Sequence, residues 1–322
     1  KYNEIVLVSK DMNVRIKARQ YKIKAKNYDY YAEQLKSVDT GIIEILVSPE
    51  EISKTRTLGF YEVKENLRFN QHVFLIDETN INNKILMTYD NISQLQSIND
   101  YAKKTIYKDV RAKNSGQNFA INDIMNIYKP VNIITSTKAG CGKNYIITAC
   151  CLNLLEIGEY NKLICIKPMV SVDGKDIGSL PGTKNEKISV WFQDEEDTME
   201  ILLGGKKEKY NEMIEEGMVE LDIVSFARGR NIPNAIIWIN EAQNFTAHQI
   251  WTIATRVAKS SKLIVSGDLS QIDNKHLDLK NCGLNVFSTV SRNNPDATYI
   301  CLTNNKNLRG PVAEWYSENS YI

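Results

Sequence analysis

One stretch constrains this 322-residue chain more than any other: VNIITSTKAGCGKNYIITACCLNLLEIGE, residues 131–159. It opens on an apolar run, Val131–Thr135, passes through a loop with two glycines, and closes on a run with helical composition. Strand, glycine loop, helix is the context in which backbone N–H groups can turn inward on phosphate oxygens. Gly140 and Gly142 allow that turn. The helix N-terminus adds positive potential, and Lys143 supplies an ammonium that reaches the outer phosphates. The loop backbone, Ala139, Gly140, Cys141, Gly142 and Lys143, is therefore the expected grip on a nucleoside triphosphate.

The loop departs from the pattern G-x-x-x-x-G-K-[ST] at two places. Thr137 stands where the first glycine belongs, and a β-branched residue tolerates positive φ poorly, so the turn is expected to be reshaped there. Asn144 stands where a hydroxyl residue ordinarily meets Mg²⁺. A second metal-side group is expected at the end of a later strand, and AIIWINEAQN, residues 235–244, fits. There the aspartate position is Asn240, followed by Glu241, which keeps a place from which a carboxylate can orient an attacking water. Both expected metal-side residues, Asn144 and Asn240, are thus amides. Loss of a carboxylate beside a divalent ion forfeits on the order of a few kcal/mol.

Other apolar strands, Lys162–Ile166, Ala235–Ile239 and Leu263–Ser266, alternate with helix-length segments. Short continuous apolar strands with helices between them predict a parallel sheet covered on both faces. Residues 41–110 differ: IIEILVSPEEI, QHVFLIDE and NKILMTYD alternate apolar and polar residues between turn signals, predicting a small β-rich module. Residues 1–40 read strand, helix, short strand and carry nine Lys and Arg against five Asp and Glu; a solvated helix face and an RNA-facing patch both fit that excess. The chain opens on Lys1 and a strand-like EIVLV, so we expect further sequence upstream. Asp194–Glu220, acidic and helical, reads as an exposed insert outside any site.

A net charge of +1 provides no global attraction for nucleic acid. No apolar run is long enough for a membrane helix, so no membrane partner is expected. The six scattered cysteines lack metal-ligand spacing and read as buried thiols of a cytoplasmic protein.

The chain resembles the PhoH-like P-loop ATPases, and in particular the form fused to an N-terminal PIN nuclease domain. The resemblance is carried by AGCGK (139–143), KPMVSVDGKDIGSLPGTKNEK (167–187), RGR (228–230), INEAQN (239–244), SGDLSQID (266–273) and LTNNKNLRGP (302–311), nearly continuous over residues 117–316. It implies an α/β fold: a RecA-like P-loop core at 111–322, a β-rich linker at 41–110 and a PIN remnant at 1–40. It also implies ATP and Mg²⁺ as ligands, a link to RNA binding or unwinding, and a ring-like homo-oligomer. Carried over to this sequence, Gln117 is similar to the adenine-reading glutamine, Asp268 and Gln271 to the γ-phosphate-sensing motif, and Arg309 to an arginine that stabilises the transferring phosphoryl group. Arg228 and Arg230 are further basic candidates. Read as residues alone, Gln117 also fits a surface helix position, Asp268 a turn cap and Arg309 an exposed ion pair. Asp11 is similar to one metal-binding carboxylate of the PIN domain, whose others would come from earlier sequence, so no nuclease activity is expected of these residues.

Two functions remain open on these grounds: an ATPase coupled to RNA, and a nucleotide-holding protein that does not turn over. A small-molecule kinase lacks a second substrate motif.

Overall fold

The structure, a computed structural model, describes residues 6–8, 14, 17–18, 21–26, 38–63, 65–138, 140–168, 190–223 and 232–303. Asp11, Ala139, Arg228, Arg230, Arg309 and most of the 167–187 motif lie outside the described residues. The chain divides into two compact units, Lys1–Val38 and Asp39–Ile322. In the first, β1 (Val6–Val8) and β2 (Lys24–Lys26) pair in parallel.

The second unit holds two sheets. The first is formed by β3 (Ile42–Val47), β4 (Phe60–Glu62), β5 (His72–Asp77), β6 (Asn80–Tyr89) and β7 (Gln94–Ser97), in the order β3-β5-β6-β7-β4. Only β3 and β5 run parallel, and the helix α1 (Pro49–Leu58) begins directly after β3. Ser48 caps α1 and Glu51 returns a bond to the Ser48 N–H, a capping box. The alternation in IIEILV and NKILMTYD thus becomes the expected β module, with Val47, Val73, Leu75 and Met87 buried in it.

Beyond it the chain alternates as its periodicity predicts: α2 (Ser115–Met125), β8 (Val131–Ser136), α3 (Lys143–Glu156) and β9 (Lys162–Lys167). Next come α4 (Gln193–Leu202), α5 (Lys207–Glu215), β10 (Val219–Ile223) and β11 (Ala235–Ile239). The segment ends with α6 (Ala247–Ala254), β12 (Lys262–Asp268), α7 (Gly283–Ser291) and β13 (Ala297–Leu302). The strands form one sheet in the order β10-β9-β11-β12-β8-β13, every pair parallel. The two outermost strands, β10 and β13, were not foreseen.

β12 lies between the loop-bearing strand β8 and β11, which is followed directly by Asn240 and Glu241. This interposed strand sets the spacing between the phosphate loop and the acidic turn. Successive strand residues face opposite sides. Ile134, Cys165, Trp238, Ile264 and Ile300 share a cluster with α2, α3 and α4 residues such as Phe119, Ile147 and Met199. Residues of the other parity, Ile133, Ile237 and Val265, are buried too, so both faces are covered. Each such aliphatic side chain contributes roughly 1.5–3 kcal/mol through burial. Trp238, wholly buried, directs its indole N–H to Ser266 Oγ at 2.8 Å.

The acidic stretch from Asp194 corrects an expectation. It is not an exposed insert: Phe192, Glu195, Met199 and Leu202 are buried, and α4 packs on α3. The periodicity of Glu195, Met199 and Leu202 places them on one helical face. The charge surrounding that face had hidden it.

Candidate functional site

The six-stranded sheet brings the ends of β8, β11 and β12 to one edge, and the loop after β8 turns there. Gly140 and Gly142 have φ of 78° and 79°, the left-handed region that L side chains rarely occupy. Thr137 is not among the residues with positive φ, so the chain passes that position without the left-handed backbone a glycine would allow. Gly142 caps α3 without any side-chain bond to the first turn. The first N–H groups of that helix therefore keep their donor capacity for an anion.

Lys143 opens α3 and is only 8% exposed. Among the described residues no carboxylate pairs with it. A largely desolvated ammonium without a counter-charge attracts an anion strongly. It lines a cleft of about 650 Å³, the size of a small-molecule site. Gln117, Gly140, Cys141, Gly142, Asn144, Asp194, Glu241, Asp268 and Gln271 line the same cleft, as do Arg111, Lys113 and Lys138.

Gln117 is 2% exposed, which removes the surface-helix reading. Its Oε1 accepts from Lys113 N–H at 2.7 Å and its Nε2 donates to the Cys141 carbonyl at 2.9 Å. One amide thereby ties the phosphate loop to the segment preceding α2, and each amide atom retains capacity for one further bond. Asp268 Oδ1 accepts from Ser270 N–H and Oγ at 2.8 and 2.6 Å, so it does cap its turn while also facing the cleft.

Gln243, which the sequence reading missed, connects these groups. It is wholly buried. Its Nε2 donates to Glu241 Oε2 at 2.6 Å and to the Gln271 carbonyl at 3.0 Å, and its Oε1 accepts from Asp268 N–H at 3.0 Å. Gly267 makes room for this amide: a Cβ there would overlap Gln243 Oε1 and approach Leu284 Cδ2 to 2.8 Å. Glu241 itself has φ 54° and ψ 38°, an uncommon conformation for a residue with a side chain.

The two asparagines sit differently. Asn240 is fully buried and its amide oxygen is fully engaged: Oδ1 accepts from Ser266 Oγ and Glu241 N–H, while Nδ2 donates to Glu195 Oε1 at 2.5 Å. It stands behind the cleft wall and is not part of the lining. Glu195 Oε2 in turn accepts from Lys167 Nζ at 2.5 Å. Burial raises the Glu195 pKa above the ordinary carboxylate value, and the Lys167 ammonium and Asn240 amide only partly offset this. Asn144 does face the cleft. Its Nδ2 donates to Asp194 Oδ2 at 2.9 Å, and its Oδ1 is buried without a hydrogen-bond partner among the described residues.

That orphaned oxygen bears on Mg²⁺. A buried acceptor without a donor is costly, and a cation or its bound water would satisfy it. Asn144 Oδ1 with the neighbouring Asp194 carboxylate therefore fits the ion that accompanies a triphosphate. Mg²⁺ takes few protein ligands and relies on phosphate oxygens and water. Among the described residues no group of three or more His, Cys, Asp or Glu is placed to hold a metal by itself.

Strand order, glycine loop and buried lysine together define a RecA-like P-loop core. Residues 109–319 match the PhoH-like protein family, and the chain belongs to it. It is similar to Protein PhoH2 of Bacillus subtilis, with 32% identity over 295 residues, covering 87% of this chain and 64% of that protein. Protein PhoH2 of Thermobispora bispora is 26% identical over 98% of this chain and 70% of its own length. Protein PhoH of Escherichia coli K12 is 34% identical over 44% of this chain and 40% of its own. The chain thus spans about two thirds of the length of the PhoH2 relatives.

All six cysteines are buried thiols, Cys150, Cys151 and Cys165 with pKa values raised by burial. Among the described residues no helix is long and apolar enough to cross a membrane.

Proposed function

We propose that this chain binds ATP, with the triphosphate in the loop Gly140–Lys143, and that it hydrolyses the nucleotide slowly. One observation carries the reading: Lys143, nearly buried and without a counter-charge among the described residues, at the foot of a loop whose glycines and uncapped helix leave N–H donors available. Gln117 is the candidate to read the base with its remaining donor and acceptor. Asp268 and Gln271 border the cleft where the outer phosphate would lie, and Glu241 is the candidate to orient water. Mg²⁺, held by Asn144 and Asp194, would neutralise charge on the outer phosphates.

Slow turnover follows from the hydrogen bonds already made. Glu241 shares Oε2 with Gln243, and Asn240 Oδ1, with both lone pairs engaged, cannot accept from a metal-bound water. These bonds also favour a second reading, a nucleotide-holding protein without turnover.

Titration with a fluorescent ATP analogue should show saturable binding, lost in Lys143→Ala; a parent protein that does not bind ends the proposal. Phosphate release measured on the same samples separates the two readings.

Family membership extends the proposal to RNA. A second cleft of about 630 Å³ between the β module and α2 is lined by Arg56, Lys84, Lys103 and Lys113, and Lys113 also borders the nucleotide cleft. Phosphate contacts by such cations make binding salt-dependent. Replacing Lys84 and Lys103 by alanine should weaken RNA binding and flatten its salt dependence. A ring-like homo-oligomer, with Arg309 reaching a neighbour's nucleotide, is part of the same proposal.

A further inference from the structure

The two amides on the metal side each meet a carboxylate, and the two carboxylates are adjacent in sequence. Asn144 Nδ2 donates to Asp194 Oδ2, and Asn240 Nδ2 donates to Glu195 Oε1. Both acids open α4, which comes from a part of the chain far from the loop and the acidic turn. Negative charge missing at the end of β11 is therefore present nearby, on another element.

The two acids are not equivalent. Glu195 is 1% exposed and both its oxygens are engaged, by Asn240 and Lys167. It can fix the start of α4, but it is buried and does not line the cleft. Asp194 is exposed and borders the cleft. Only one of its carboxylate oxygens is engaged among the described residues, by Asn144, whose own Oδ1 is buried and unsatisfied.

We infer that Asp194 is the metal-side carboxylate of this protein: with Asn144 Oδ1 it holds the divalent cation of the bound nucleotide, while Glu195, anchored by Asn240 and Lys167, is a positioning residue for α4. This rests on the nucleotide reading above. It explains why an asparagine at position 240 does not strip the site of charge: the carboxylate is delivered by α4. The alternative role for Asp194 is to complement the α4 dipole together with Glu195 and Glu196 in the first turn. That role requires no cation.

The test uses Mn²⁺ in place of Mg²⁺, with a non-hydrolysable ATP analogue. Electron paramagnetic resonance reads free Mn²⁺, and analogue binding in EDTA is measured in parallel. Asp194→Asn should weaken Mn²⁺ binding to the analogue complex by at least ~tenfold, because one anionic ligand is lost. Analogue affinity in EDTA should stay the same or rise. The exchange variant Asp194→Asn with Asn144→Asp returns a carboxylate to the same pair and should recover the Mn²⁺ affinity to within about threefold. Unchanged Mn²⁺ affinity in Asp194→Asn overturns the inference, and so does an exchange variant that folds with the parent's melting temperature but recovers nothing. If the parent binds no analogue with or without metal, the nucleotide reading fails and takes this inference with it. Analogue binding with Mn²⁺ affinity indifferent to Asp194 sinks the inference alone.

Discussion

Gln117 is a small side chain with two structural tasks, accepting from Lys113 N–H and donating to the Cys141 carbonyl. Gln117→Ala removes both bonds, one half-buried and one buried, at about 0.5–1.5 kcal/mol each. We expect urea unfolding to shift by about 2 kcal/mol and ATP affinity to fall by roughly tenfold as the loop loses its brace. A variant with parent stability and weakened affinity would instead mean that the amide acts only on the base. Asp39 offers a test by pH. Burial raises its pKa, but hydrogen bonds from Arg68 and Gly41 N–H, and the nearby charges of Arg68 and Arg292, outweigh that and hold it below the ordinary value. A carboxylate depressed in the folded state stabilises above its unfolded pKa and loses that contribution as pH falls through its folded pKa. Asp39→Asn should therefore be less stable than the parent at pH 7, by under about 1 kcal/mol for such partly exposed pairs. The gap should close in acid, as pH falls below the ordinary carboxylate range. At this scale the sequence singled out Lys143, both loop glycines and Glu241 as candidates, because loop chemistry is local, and the structure lines one cleft with them. Gln243 and the bracing role of Gln117 were hidden, since their partners lie 25 and 24 residues away in the chain.

At the scale of elements, α4 determines what the asparagines mean. From the sequence, Asn240→Asp looks like a repair of a lost carboxylate. The structure places Glu195 Oε1 at 2.5 Å from Asn240 Nδ2 inside the protein, so the change would set two carboxylates against each other. One must take up a proton or the fold must yield. We expect Asn240→Asp to destabilise by about 2–3 kcal/mol near neutral pH, with no gain in phosphate release, and adding Glu195→Gln to recover much of the stability. Calorimetric melting of the single and double variants checks this; a stable and faster single variant would contradict it. Gly267→Ala is the companion case on β12, where a Cβ meets Gln243 Oε1 and Leu284. Overpacking of this kind costs about 1–3 kcal/mol and should also lower nucleotide affinity, because Gln243 holds Glu241 and the Asp268 turn together. Strands β8, β9, β11 and β12 were legible as short apolar runs. β10 (VELDI) was not, since its polar residues resemble the acidic stretch before it, and α4 was misread because its buried face is ringed by charge.

At the scale of the molecule, the β module and the P-loop core form one unit from Asp39 onward. Asn70 Nδ2 reaches the carbonyls of Pro295 and Ala297, and His72 Nε2 lies 3.0 Å from Asp123 Oδ2 while its ring stacks on Phe119. The sequence reading separated residues 41–110 by their alternating pattern, and that pattern does make a separate sheet. Periodicity carries no signal for the buried polar contacts that fuse the sheet to the core. Asn70→Ala should lower stability by about 1–3 kcal/mol without splitting the unfolding of Asp39–Ile322 into two transitions; two transitions in near-ultraviolet and far-ultraviolet dichroism would show separate domains. The proposed function depends on the loop after β8 gripping a triphosphate. Isothermal titration of the parent protein with Mg²⁺ and a non-hydrolysable ATP analogue tests that most directly. We predict one saturable site per chain, absent in Lys143→Ala; a flat titration of the parent, or equal heats from the lysine variant, would contradict it.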